Sequence, residues 1–134
     1  MLHLKILDKS LLNELMQYIE ASSNVDKELI MHYANEMKLD IKENLNKSFF
    51  KLSGGMKQKM LIAISLAKKS NIIIYDEPTA NLDPKARDDF YRLLKQNEDD
   101  KILLFVSHRL DEIKDIVNRQ VYMDLGKVIS DDRV

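Results

Sequence analysis

The sequence predicts an α/β chain: a helical portion followed by a partial parallel sheet and a C-terminal β-hairpin. Three observations carry this. Apolar residues recur at helical spacing through residues 1–50, two short β-branched runs flank a well-capped helix, and a glycine separates two strand-like segments near the end. At 134 residues the chain has the size of one domain with one core. We expect two lobes in it, residues 1–70 and 71–134.

In the first portion, Leu11, Leu12, Leu15, Met16 and Ile19 form one stripe after a possible cap at Ser10. Ile30, Tyr33, Ala34 and Met37 form a second, with Ala21 to Asp26 as the polar connection. Asn44 to Lys51 then leads into Gly54-Gly55, and Met60 to Ala67 reads as a mostly buried helix with Lys68 and Lys69 in its last turn.

Ile72–Tyr75 and Ile102–Val106 lack polar alternation, which predicts parallel strands covered on both faces. Between them Asp83 caps a helix with Pro84 at its first position and Ala86, Phe90, Leu93 and Leu94 on its apolar face. A further helix carrying Leu110, Ile113, Ile116 and Val117 precedes Val121–Leu125, Gly126 and Lys127–Ile129, the terminal hairpin.

Composition excludes several functions. A net charge of -1, from 21 basic and 22 acidic residues, gives no field that recommends nucleic acid as a partner. The absence of cysteine rules out disulfides and thiolate metal sites, and the cytoplasm is the expected location. No apolar run approaches the roughly 20 residues that span a bilayer, so a membrane role is expected only through a partner. The first ten residues lack the pattern of a signal peptide and read as an internal segment given a start methionine.

Four constellations carry chemistry. Ser53, Gly54 and Gly55 open a helix whose free N–H groups and partial positive charge suit a nucleotide phosphate; an ordinary serine cap after a glycine turn fits the same residues. Asp76 and Glu77 end the first apolar strand, at the edge where parallel sheets place ligands. One carboxylate suits the hydration shell of Mg²⁺, and the other can orient and deprotonate a water; a solvated turn before Pro78 is the plain alternative. Ser107-His108 ends the second strand on the same rim, where a histidine can contact phosphate and water, although a lone rim histidine is common. The Ala80–Asp83 segment connects these to the next helix through the Asp83 cap. His3 and His32 have no such context.

Taken together and in this order, LSGGMKQK, IIIYDEPTANLD and LFVSHR resemble the signature, Walker B with catalytic glutamate, D-loop and switch-histidine motifs of ABC ATPases. The resemblance implies a P-loop NTPase fold, with a helical subdomain in the first lobe and part of the RecA-like core in the second. It further implies ATP and Mg²⁺ as cofactors, Asp76 at the metal, and Glu77 and His108 as catalytic residues. Ser53, Gly54 and Gly55 would touch ATP on an opposite subunit, with Asp83 at the dimer seam. A second ATPase subunit and a transmembrane permease are the implied partners. The signature with Met56 resembles drug and antibiotic exporters.

The family's glycine-rich loop before Gly-Lys-Ser or Gly-Lys-Thr is not among the 134 residues, whose three glycines are Gly54, Gly55 and Gly126. The chain is therefore expected to be an incomplete transport ATPase, inactive alone. Two alternatives remain: a non-hydrolysing subunit that donates its signature in trans, and a non-transport ABC ATPase of DNA repair or translation. Without the loop's strand, Ile102–Val106 should have a free edge that Val121–Leu125 fills, or that pairs or exchanges with a second copy.

Overall fold

In a computed structural model of the chain, residues 11–97 and 101–134 are described. The expected cap at Ser10 lies outside them. Helix α1 (Leu12–Ser23) starts instead with the Leu11 N–H donating to Glu14 Oε2 at 3.0 Å. Leu12, Leu15 and Met16 point into the core, while Leu11 stays exposed. The helix runs three residues into the expected connection, because Asn24 ends it only at a left-handed φ of 50°. Asp26 then caps α2 (Lys27–Glu36), accepting from Glu28 N at 2.9 Å. The whole expected stripe of Ile30, Tyr33, Ala34 and Met37 is buried.

Two 3₁₀ turns, Lys42–Asn44 and Phe49–Lys51, carry the chain back past α1, whose first amides donate to Lys47 O and Leu45 O. Helix α3 (Gly54–Ala67) takes both glycines into its first turn. It ends before Lys68 and Lys69, which therefore lie beyond the helix and not in its last turn.

Strands β1 (Ile72–Asp76) and β2 (Ile102–Val106) pair in parallel and in register, from Ile72 opposite Ile102 to Asp76 opposite Val106. Helix α4 (Pro84–Gln96) connects them over one face, burying Ala86, Phe90, Leu93 and Leu94. Tyr75 lies between Phe90 and Phe105, at centroid distances of 5.4 and 5.2 Å. Its hydroxyl shares a 3.0 Å hydrogen bond with Ser65 of α3. One core runs from Leu12 through α3 and β1 to Leu94, so the helical portion and the strands share a single apolar interior.

Two expectations fail here. The strands are not covered on both faces: Ile73 and Tyr75 are buried, but Ile72, Ile74, Ile102, Leu104 and Val106 are 52 to 66% exposed on the other side. An unbroken apolar run signals a strand meant for burial, yet no helix among the described residues crosses that face. Nor does Val121–Leu125 fill the edge of β2. Its first four residues belong to β3 (Arg119–Asp124), which among the described residues pairs only with β4 (Lys127–Arg133) in a separate antiparallel sheet. The local hairpin wins because Leu125 and Gly126 both adopt left-handed φ, 46° and 76°, the two-residue turn that matches strand twist.

The helix expected through Val117 is shorter: α5 covers only Leu110–Ile113, with Ile113 buried. No described helix is long and apolar enough to cross a membrane.

The uneven sheet sets a comparison. Phe90→Ala should cost about 3 to 5 kcal/mol in urea unfolding, whereas Leu104→Thr on the open face should change stability by less than about 0.5 kcal/mol. Equal losses would mean that the open face is packed.

Candidate functional site

The site follows from where β1 and β2 stop. Asp76 is the last residue of β1, and beyond it the chain turns sharply at Glu77, whose φ is 46°. That conformation costs a non-glycine residue about 1 to 3 kcal/mol, so neighbours must hold it. They do. The Glu77 N–H donates to Val106 O at 2.8 Å, extending the sheet by one bond, and Pro78 and Thr79 are buried directly after it.

The same bond brings the end of β2 alongside. The His108 N–H donates to Glu77 Oε1 at 3.1 Å, and His108 Nε2 lies 3.3 Å from the same oxygen. Glu77 is therefore half-buried and aimed along the rim, while the His108 side chain is 94% exposed with its imidazole against that carboxylate. An exposed pair of this kind adds little to stability. Its significance is geometric: an acidic group and an imidazole face one position in solvent. Asp76 stands exposed beside them. Among the described residues no cluster of three or more metal-ligating side chains forms. A single carboxylate at a strand tip nevertheless fits Mg²⁺, which keeps most of its waters and takes few protein ligands.

Ser53 is exposed and caps α3, its Oγ accepting from Met56 N at 3.1 Å. The amides of Gly54 and Gly55 open the helix beside it. A Cβ on Gly55 would come within 3.1 Å of the Asn81 carbonyl oxygen, and one on Gly54 would meet the Asn81 side chain at 3.7 Å. Gly55 thus admits the loop that follows Glu77, whereas a Cβ on Gly54 would make only ordinary contact. Sequence reasoning reaches Asn81 only as part of the Ala80–Asp83 segment; its contact with the glycines carries no local signal. Asp83 Oδ1 accepts from Ala86 N at 2.9 Å, as expected.

Of the residues expected to act, Glu77 and His108 are brought into contact with Asp76 adjacent. Ser53, Gly54 and Gly55 form a second group joined to the first through the Asn81 loop. No hydrogen bond among the described residues links the two directly.

Comparison with known proteins gives the family. A protein-family model described as ABC transporter matches residues 3–80, more than half of the chain. The chain belongs to the ABC transporter family. The energy-coupling factor transporter ATP-binding protein EcfA2 of Mycoplasmoides gallisepticum is 38% identical over 103 residues, covering 76% of this chain and 32% of the relative. ABC transporter ced-7 of Caenorhabditis elegans is 34% identical over 96 residues, 72% of this chain and 6% of that one. A bacterial ABC transporter cassette solved as a dimer superimposes with a TM-score of 0.69 at 28% identity, over 80% of this chain and 46% of the cassette. The fold is matched again by the ATP-binding subunit of another ABC transporter, with a TM-score of 0.80 at 20% identity over 95% of this chain and 54% of that subunit. The α/β fold of ABC ATPases is thus established for this chain, which spans about a third of the length of the EcfA2 relative.

The cap and the close approach give separable effects. Ser53→Ala should cost about 1 kcal/mol by urea unfolding, the usual value of an N-cap side chain. Gly55→Val should displace the Asn81 amide resonance in NMR spectra while leaving that of Leu94 in place; an unmoved Asn81 would show that the loop does not rest on the glycine.

Proposed function

We propose that this chain supplies the signature and the hydrolytic half of an ABC-type ATPase that powers membrane transport. The observation that carries the reading is the Glu77–His108 contact at the C-terminal rim of a parallel strand pair, with Asp76 beside it. In this reading ATP is the nucleotide and Asp76 holds the water shell of Mg²⁺. Glu77 orients and deprotonates the attacking water, and His108 contacts the γ-phosphate and the same water. The Glu77 carboxylate has the geometry for this because one oxygen is held by the His108 amide and the other remains free to accept from water.

Ser53, Gly54 and Gly55 serve a different nucleotide, one bound by a second ATPase subunit. Their exposed helix start supports this: an N-terminus with free amides and no carboxylate in its first turn favours an incoming phosphate. Asp83, exposed and one loop away, lies at the seam between subunits. Residues 1–70 act as the signature-bearing lobe and 71–134 as part of the catalytic core. The remaining partner is a transmembrane permease, which places the subunit at the cytoplasmic side of a membrane without entering it. The match to transporter ATP-binding proteins supports transport over DNA repair or translation, and the retained Asp76, Glu77 and His108 support hydrolysis over a donor-only role.

The 134 residues contain no glycine-rich loop to neutralise a triphosphate, so much of the electrostatic stabilisation must come from elsewhere. Phosphate release by the chain alone should be at background. Adding a lobe that carries a Walker A loop should raise it, and Glu77→Gln should return it at least about 100-fold toward background, the scale of a lost general base. Robust turnover by the chain alone, or full activity of Glu77→Gln in the assembly, would overturn the proposal.

A further inference from the structure

Glu112 lies four residues beyond His108, and its carboxylate gathers three donors from two elements. Arg87 of α4 donates to Oε1 in a half-buried ion pair, with side chains 19% and 28% exposed. Arg109 donates to the same oxygen at 3.2 Å, and the Tyr91 hydroxyl of α4 donates to Oε2 at 3.3 Å. Arg87 makes no other ion pair among the described residues, and its Nε is buried without a partner. The guanidinium charge is therefore answered by Glu112. Tyr91 is itself half-buried. Burial raises its pKa above the ordinary range.

A continuous path results. It runs from Arg87 and Tyr91 of α4 to Glu112, and on through Arg109 to His108. The strand pair fixes the backbone only as far as Val106, and the four-residue α5 is too short to hold its own position. The Ser107–Arg109 segment is held by the Glu77 bond to His108 N–H, by a local bond from Arg109 N to Ser107 Oγ at 3.0 Å, and by the ties from outside the sheet.

We propose that Glu112 and Tyr91 are positioning residues that hold the His108 loop against the Glu77 turn. This rests on the reading that Glu77 and His108 act as a pair. Neither Glu112 nor Tyr91 touches the reacting position; both act through the loop they tie.

A spectroscopic double-mutant cycle in the 134-residue chain tests it. In the parent, Glu77→Gln should move the His108 amide resonance, because that N–H loses a charged acceptor. In a Tyr91→Phe or Glu112→Ala background the same substitution should move it at least about threefold less. The amides of Ile73 and Leu103 should keep their parent positions throughout. An undiminished displacement overturns the proposal, as does movement of Ile73 and Leu103 in step with His108, which is what general loosening would give. If Glu77→Gln leaves His108 unmoved in the parent, the pairing itself falls and the proposal with it; an intact pair indifferent to both variants sinks the proposal alone. Should Glu112→Ala fail to fold, Tyr91→Phe carries the test, since it removes one oxygen and no packing volume.

Discussion

The in-register parallel pairing of β1 with β2 is the constraint on which the rest depends. Each strand rises about 3.3 Å per residue, so a slip of two residues would carry His108 roughly 7 Å from Glu77. The register is held from inside the core, where Tyr75 stacks on Phe105, meets the edge of Phe90 and hydrogen-bonds Ser65. Burial pushes the Tyr75 hydroxyl pKa up, with the Ser65 hydrogen bond opposing, as expected for a phenol kept neutral inside a core. A buried aromatic cluster thus sets the position of two polar side chains at the surface, at no contact with either.

Strain at Glu77 belongs to the same logic. A left-handed glutamate survives because a sheet bond behind it and two buried residues after it leave no easier conformation. The turn in that form sends its carboxylate across to the neighbouring strand instead of out along its own. Gly55 solves the matching problem on the other side, letting the loop after the turn settle against the start of α3. Strand tip, loop and helix start are in this way one mechanical unit, although they come from three stretches of sequence.

Much of this was legible in the residues. The periodic stripes of α1 and α2, the Ser53 and Asp83 caps, the parallel pair and the glycine hairpin all rest on local rules that tertiary packing did not override. The rim position of Asp76, Glu77 and His108 followed from strand ends alone. What was not legible depends on relations between distant residues. An apolar run such as Ile72–Ile74 has the same composition whether one face is covered or two, and the sequence held no sign that five side chains across β1 and β2 would stand exposed. The failure of Val121 to join the edge of β2 was a competition between two pairings, which a left-handed Leu125-Gly126 turn decided locally. Glu112 meets Arg87 across 25 positions, a separation no short motif reveals.

The most direct measurement of the central claim is the set of interstrand nuclear Overhauser contacts in the 134-residue chain. The account predicts cross-strand contacts between Ile73 and Leu103 and between Tyr75 and Phe105, with the Glu77 amide close to Val106. Contacts displaced by one or two residues along β2, or none between the strands, would separate Glu77 from His108 and contradict it.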